Sequence, residues 1–75
     1  MADERIRIEV SFEGGQTLSV LVLPEAADRL EQALGGDRSG AIAVEAEDGR
    51  YTVVLAEVVY LKRFAREARV GFGST

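Results

Sequence analysis

Nine residues near the start of the chain, from Arg5 to Glu13, alternate without a break between polar and apolar side chains. A side-chain period of two is that of a β-strand with one face buried, so the segment predicts a half-buried strand. The strand would turn at Gly14 and Gly15, since paired glycines are a strong turn signal. The apolar positions are Ile6, Ile8, Val10 and Phe12.

The residues Thr17 to Leu23 predict a second strand that pairs back onto the first. A two-residue loop would set Phe12 opposite Thr17 and would mix apolar and polar side chains on one face. A three-residue loop, residues 14–16, keeps the apolar face intact, and we expect this register. It pairs Phe12 with Leu18, Val10 with Val20, and Ile8 with Val22.

A helix is predicted from Pro24, because proline is well suited to the first helical position. Ala27, Leu30 and Leu34 recur at helical spacing, and the glycine pair at 35–36 ends the segment after about 11 residues. A helix this short is not stable alone in water, so it must pack against the sheet.

A second hairpin is predicted from residues 41–47 and 50–55, joined by Asp48 and Gly49. A two-residue turn pairs Glu47 with Arg50, Ala46 with Tyr51, Val44 with Val53, and Ile42 with Leu55. The opposite face would hold Ala41, Ala43, Glu45, Thr52, Val54 and Ala56, and the middle of that face would be small and apolar.

The residues 58–64 are predicted as a fifth strand, since valine, tyrosine and phenylalanine favour strands. A helix is the alternative, with Val58, Leu61, Ala65 and Ala68 on one face. The strand reading gives the order β-β-α-β-β-β in one domain, residues 1–75, with flexible ends at 1–4 and 73–75. This is a two-layer α+β fold, an antiparallel sheet of about five strands with one helix, whose start resembles the β-grasp (ubiquitin-like) fold.

Self-association is the predicted source of extra stability. A chain of 75 residues buries a small core, and this one has no cysteine or histidine for a disulfide or a zinc site. The sheet face away from the helix would expose apolar residues, which predicts a homo-oligomer, most simply a two-fold dimer. The predicted interface residues are Leu21, Leu23, Val54 and Val58, with Val59 as the alternative to Val58.

Catalytic, metal-binding and cofactor-binding residues are not predicted anywhere in the chain. The glycine pairs match no phosphate-binding motif. The carboxylates Glu45, Glu47 and Asp48 fall at a solvated hairpin tip, and Glu47 has Arg50 opposite, so a cation site or acid–base chemistry is not expected there. The chain has neither a run of 18 apolar residues nor a signal-peptide pattern, so we expect a cytoplasmic protein that does not enter membranes.

Positive charge is concentrated in the last part of the chain. Residues 58–75 carry 4 basic and 1 acidic side chains, whereas residues 1–57 carry 5 basic and 12 acidic ones. Basic residues interleaved with rings are typical of sites for nucleotides or single-stranded nucleic acid. The competing interpretation is a charged edge or interface strand. The candidate residues are Tyr60, Lys62, Arg63, Arg66 and Arg69.

The C-terminal half also resembles a family of small actinobacterial proteins of unknown function. The resemblance rests on Asp48-Gly49-Arg50, Val58-Val59-Tyr60-Leu61 and the block Arg69-Val70-Gly71-Phe72-Gly73, and it covers roughly residues 26–73. It implies the same strand, helix and hairpin order but no established activity; some members carry a nucleotide-binding label. The chain departs from the family at Gly14-Gly15 and at Lys62-Arg63-Phe64.

Together these features predict a non-catalytic bacterial protein that self-associates and acts as an interaction or regulatory module, with a further protein partner possible. Nucleotide or single-stranded nucleic-acid binding through the basic C-terminal strand is the alternative.

Overall fold

A computed structural model of the protein describes residues 4–65, and these form a single antiparallel sheet with one helix. The strands lie side by side in the order β4-β3-β2-β1-β5, which confirms the predicted α+β fold. The likeness to a β-grasp fold is confined to the opening hairpin and helix. Of the predicted flexible ends, only Glu4 lies within the described residues. The elements are β1 (Ile6–Phe12), β2 (Thr17–Val22), α1 (Pro24–Leu34), β3 (Ala41–Ala46), β4 (Gly49–Val54) and β5 (Val58–Arg63), with a short 3₁₀ turn at Leu55–Glu57.

The sheet is strongly curved, and the chain connectivity requires it. A flat sheet of five strands spaced about 4.8 Å apart would set its edge strands about 19 Å apart. The edge strands here are β4 and β5, yet only Leu55–Glu57 joins them. The step from Val54 to Val58 spans at most about 14 Å when extended, and a 3₁₀ turn covers less. The two edges must therefore approach each other at this end of the sheet.

The core lies between the helix and one face of the sheet, which we call the closed face. Ala26, Ala27 and Leu30 of α1 are buried against it, and Leu30 and Ile8 have no exposed surface. No polar side chain is buried among residues 4–65. The other buried members of this core are Val10, Val20, Val22, Val44, Val53, Leu55 and Val58.

The first hairpin has the predicted faces but a register shifted by two residues. Val10 lies opposite Leu18, and the three loop residues are those at 13–15 rather than 14–16. Phe12 closes the loop by donating its N–H to the Gln16 carbonyl at 2.8 Å. A three-residue hairpin loop needs a left-handed residue at its end. The observed frame puts Gly15, at φ 92°, in that place, whereas the predicted frame would have put Gln16 there.

The second hairpin is also shifted by two residues. Ala46 pairs with Gly49, so the turn consists of residues 47–48, and Arg50 lies opposite Glu45 instead of Glu47. Gly49 has φ 149°, a conformation that side chains disfavour, and this fixes the first residue after the turn as the glycine. Because a shift of two preserves the side-chain alternation, both hairpins keep the predicted assignment of residues to the two faces of the sheet.

The last element, β5, is the predicted strand and not the alternative helix. A bulge in this strand explains why its sequence also fits a helical spacing. Val58 lies opposite Phe12, and the register then shifts by one before Tyr60 pairs with Ser11. The extra residue places Val58 and Leu61, three positions apart, on the same closed face. That spacing is also the spacing of a helix. Val58 is only 3% exposed, so it belongs to the core, and Val59 is exposed in its place.

Candidate functional site: the free edge of β5

The predicted basic strip does not form a single surface. Pairing with β1 puts Tyr60 and Lys62 beside Ser11 and Glu9, on the face away from the helix, which we call the open face. Arg63 points to the other side of the strand and reaches the helix. Two more members of the predicted strip, Arg66 and Arg69, lie outside the described residues.

Arg63 is held by two carboxylates of α1. Its Nη1 donates to Asp28 Oδ1 at 2.8 Å and to Glu31 Oε1 at 2.9 Å. The two acids are one helical turn apart, so a single guanidinium can bridge them. These hydrogen bonds, the one to Asp28 first, raise the pKa of Arg63. Its charge is thus already matched within the chain.

Tyr60 and Lys62 form a small polar group on the open face of β5. The Tyr60 hydroxyl donates a hydrogen bond to Glu9 Oε2, and this bond raises the pKa of Tyr60. The Lys62 ammonium lies 4.4 Å from the centre of the Phe64 ring, a cation–π distance. Two strip residues therefore share a face with an acid, Glu9, which weakens the attraction of this surface for phosphate.

The predicted interface residues do not form one patch either. Val58 is buried, as described above. Leu23 is 39% exposed and shares a cleft of about 420 Å³ with Glu45 and both Arg5 and Arg29. Val54 is 49% exposed and lies opposite Ala41, at the far end of the second hairpin. Leu21 is half-buried and lies opposite Arg7 of β1.

The most exposed large apolar residue of residues 4–65, Val59, lies beside Tyr60 on an edge strand of the sheet. Val59 is 54% exposed and Tyr60 is 46% exposed, and both belong to β5. Within residues 4–65, β5 pairs with a strand on one side only, and we call its other side the free edge. The amide of Phe64 donates to the Arg7 carbonyl at 3.0 Å, so residues 60, 62 and 64 direct their backbone groups toward β1. In an antiparallel ladder the intervening residues, Leu61 and Arg63, direct theirs outward.

Arg38 marks where this free edge begins. It lies in the loop between α1 and β3 and donates from Nη2 to the Val58 carbonyl. The loop is shaped by Asp37, whose Oδ1 accepts from the Ser39 amide and hydroxyl, both at 2.9 Å, and these bonds lower the Asp37 pKa. Arg38 itself has φ 59°. Sequence reasoning missed this contact; the Asp-x-Ser turn pattern was its only signal.

The acidic hairpin tip is used for internal contacts. Glu45 Oε2 accepts from Arg50 Nε at 2.8 Å, and Asp48 Oδ2 accepts from the Tyr51 hydroxyl at 2.8 Å. Within residues 4–65, no three potential ligands from histidine, cysteine, aspartate or glutamate are grouped to hold a metal ion. In the same range, α1 falls short of the length and apolar character needed to cross a membrane.

No protein-family model, curated protein or solved structure matches the chain. The resemblance to an actinobacterial family therefore stays a prediction from the sequence. The local chemistry is then the guide to function. Within residues 4–65 the charges are paired or solvated, no acid–base pair is buried, and the outer edge of β5 is unpaired and carries two exposed apolar side chains.

Proposed function

We propose that the protein is a non-catalytic interaction module that self-associates through the free edge of β5. Sequence features favour a cytoplasmic bacterial protein, and these remain part of the proposal. The observation that carries it is the combination of outward backbone groups at Leu61 and Arg63 with the exposed side chains of Val59 and Tyr60.

An unpaired edge of this kind favours pairing with another strand. Exposed edge strands present N–H and C=O groups that a second chain can use, and natural proteins often block them with inward charges or cover them. On β5 the inward-facing charge, Arg63, is drawn to the helix by Asp28 and Glu31. Its guanidinium therefore does not stand in front of the edge.

The open face supports self-association less well than the edge does. Its centre carries the polar pairs Arg7–Ser19 and Glu9–Tyr60, which separate the apolar residues of β2 from those of β5. A stable interface usually has an apolar, well-packed centre. Nucleic-acid binding is also less favoured, because Arg63 is neutralised and Lys62 lies opposite Glu9.

The test is the solution mass by light scattering, for the wild-type chain and three lysine variants. Val59→Lys places a charge on the β5 edge and should reduce the mass to that of a monomer. Val54→Lys is the matched control: a valine of similar exposure on the other edge strand, whose replacement should leave the oligomer intact. Leu21→Lys tests the open face and should also have no effect.

A wild-type monomer at all concentrations would overturn the proposal. Dissociation by Leu21→Lys or Val54→Lys, with Val59→Lys unchanged, would move the interface away from β5. Binding of a short oligonucleotide at low salt that Lys62→Glu abolishes would support the alternative, since phosphate contacts are salt-dependent.

A further inference from the structure

We infer that the occupant of the β5 edge is the β5 edge of a second copy, paired antiparallel about a two-fold axis through Leu61. The inference rests on the proposed function and adds the partner and the register. The two five-stranded sheets would become one continuous sheet, with each copy contributing the same surface.

The backbone favours a centre at Leu61. Its N–H and C=O point away from β1, so two copies of Leu61 facing each other form a hydrogen-bonded pair. The next outward residue, Arg63, then lies opposite Val59 of the second copy. Pairing covers residues 59–63, which are the part of β5 beyond the contact of Arg38 with the Val58 carbonyl.

Other centres are worse for identifiable reasons. A centre at Lys62 or Arg63 places like charges directly opposite each other, which is destabilising. A centre at Tyr60 would bring the partner strand alongside Glu57 and Val58. The Glu57 carbonyl faces β1, where it accepts from the Glu13 amide at 2.8 Å, so it is not available to a partner strand. The Val58 carbonyl already accepts from Arg38.

Side-chain charge agrees with the Leu61 centre. This register sets Lys62 of one copy directly opposite Tyr60 of the other, on the open face. The Tyr60 hydroxyl is bonded to the Glu9 carboxylate, so the ammonium of the second copy would lie beside an aromatic ring and near an acid. The same pairing occurs twice, once on each side of the axis.

Single-cysteine variants test the register, because the natural chain contains no cysteine. Leu61→Cys should form a disulfide-linked dimer with itself under mild oxidation by oxidised glutathione. Its Cα atoms would be about 5.5 Å apart, within disulfide range. Tyr60→Cys and Lys62→Cys should each fail to link alone but should link when the two are mixed. These two positions are exposed, so they test the register even if Leu61→Cys disturbs packing.

The outcomes separate the inference from the function on which it rests. Self-linking of Tyr60→Cys or Lys62→Cys, in a chain whose mass is that of a dimer, would overturn the register and leave self-association standing. A dimeric mass with no crosslink in any variant or mixture would move the interface off this edge. A monomeric wild-type mass would overturn both proposals.

Discussion

The two faces of the sheet are built from the same strands, yet they have opposite character. The closed face packs buried Val, Ile and Leu side chains against α1, with no buried polar side chain in the described range. The open face mixes apolar residues with bonded polar pairs, such as Arg7 with Ser19 and Tyr60 with Glu9. The difference shows where stability is concentrated: in the layer between helix and sheet.

The largest expected effect contrasts two leucines of different burial, Leu30 within α1 and Leu23 just before it. Leu30→Ala should lower the free energy of unfolding by about 2–5 kcal/mol, because it empties a fully buried site. Leu23→Ala, at a residue 39% exposed, should cost less than about 1 kcal/mol. Urea unfolding at one protein concentration measures both. Equal losses would contradict the contrast between the faces.

A closer comparison uses neighbouring valines on opposite faces of β4. Val53→Ala should lower the free energy of unfolding by about 2 kcal/mol, since it removes two buried methyl groups. Val54→Ala, at a residue 49% exposed, should change the stability by about 0.5 kcal/mol or less. The same denaturation assay applies. A larger loss for Val54→Ala would mean that the open face is covered in solution.

Arg63 of β5 contacts the helix α1, and these contacts should contribute little to the free energy of unfolding. Arg63→Met retains much of the aliphatic stem and removes the contacts to Asp28 and Glu31. Both carboxylates are more than half exposed, so the cost should be about 1 kcal/mol or less. It should shrink further in 1 M salt, where exposed charges are screened. If the loss of stability in Arg63→Met did not change with salt, it would come from lost packing of the side chain and not from its charge.

The smallest effect concerns alkaline pH and the open face. The hydrogen bond to Glu9 raises the Tyr60 pKa above its ordinary value of 10.0. The stabilisation from this raised pKa is therefore fully present below about pH 10 and is lost as pH rises through the folded pKa. An absorbance titration in a Tyr51→Phe background isolates Tyr60. Glu9→Gln should bring its pKa back down; an unchanged titration would show that the bond does not persist in solution.

The faces of the sheet could be predicted from the sequence, but the hairpin registers could not. Alternation assigns each residue to a face, and a shift of two leaves that assignment intact. The shift depends on which residue takes the left-handed turn position. In the first hairpin Gly15 takes it and Glu13 joins the loop, a choice that alternation alone does not reveal.

The interface and the basic strip were less predictable, because both depend on β5. The bulge beside Phe12 reverses the alternation along this strand, so Val58 turns inward and Val59 does not. The distribution of the basic residues over two faces follows from the same pairing. That β5 is an edge strand also depends on its pairing with β1, between segments far apart in the sequence, and no local pattern encodes it.

The pairing of the last strand with the first sets a limit on how the chain can fold. Glu9 and Tyr60 are 51 positions apart, whereas each hairpin closes over only a few residues. The hairpins can form early and locally, but β1 keeps one side open until the chain through β5 is complete. During synthesis the first strand would therefore expose a free edge for most of the time that the chain emerges. Rapid closure by β5 would then protect the growing chain from aggregation.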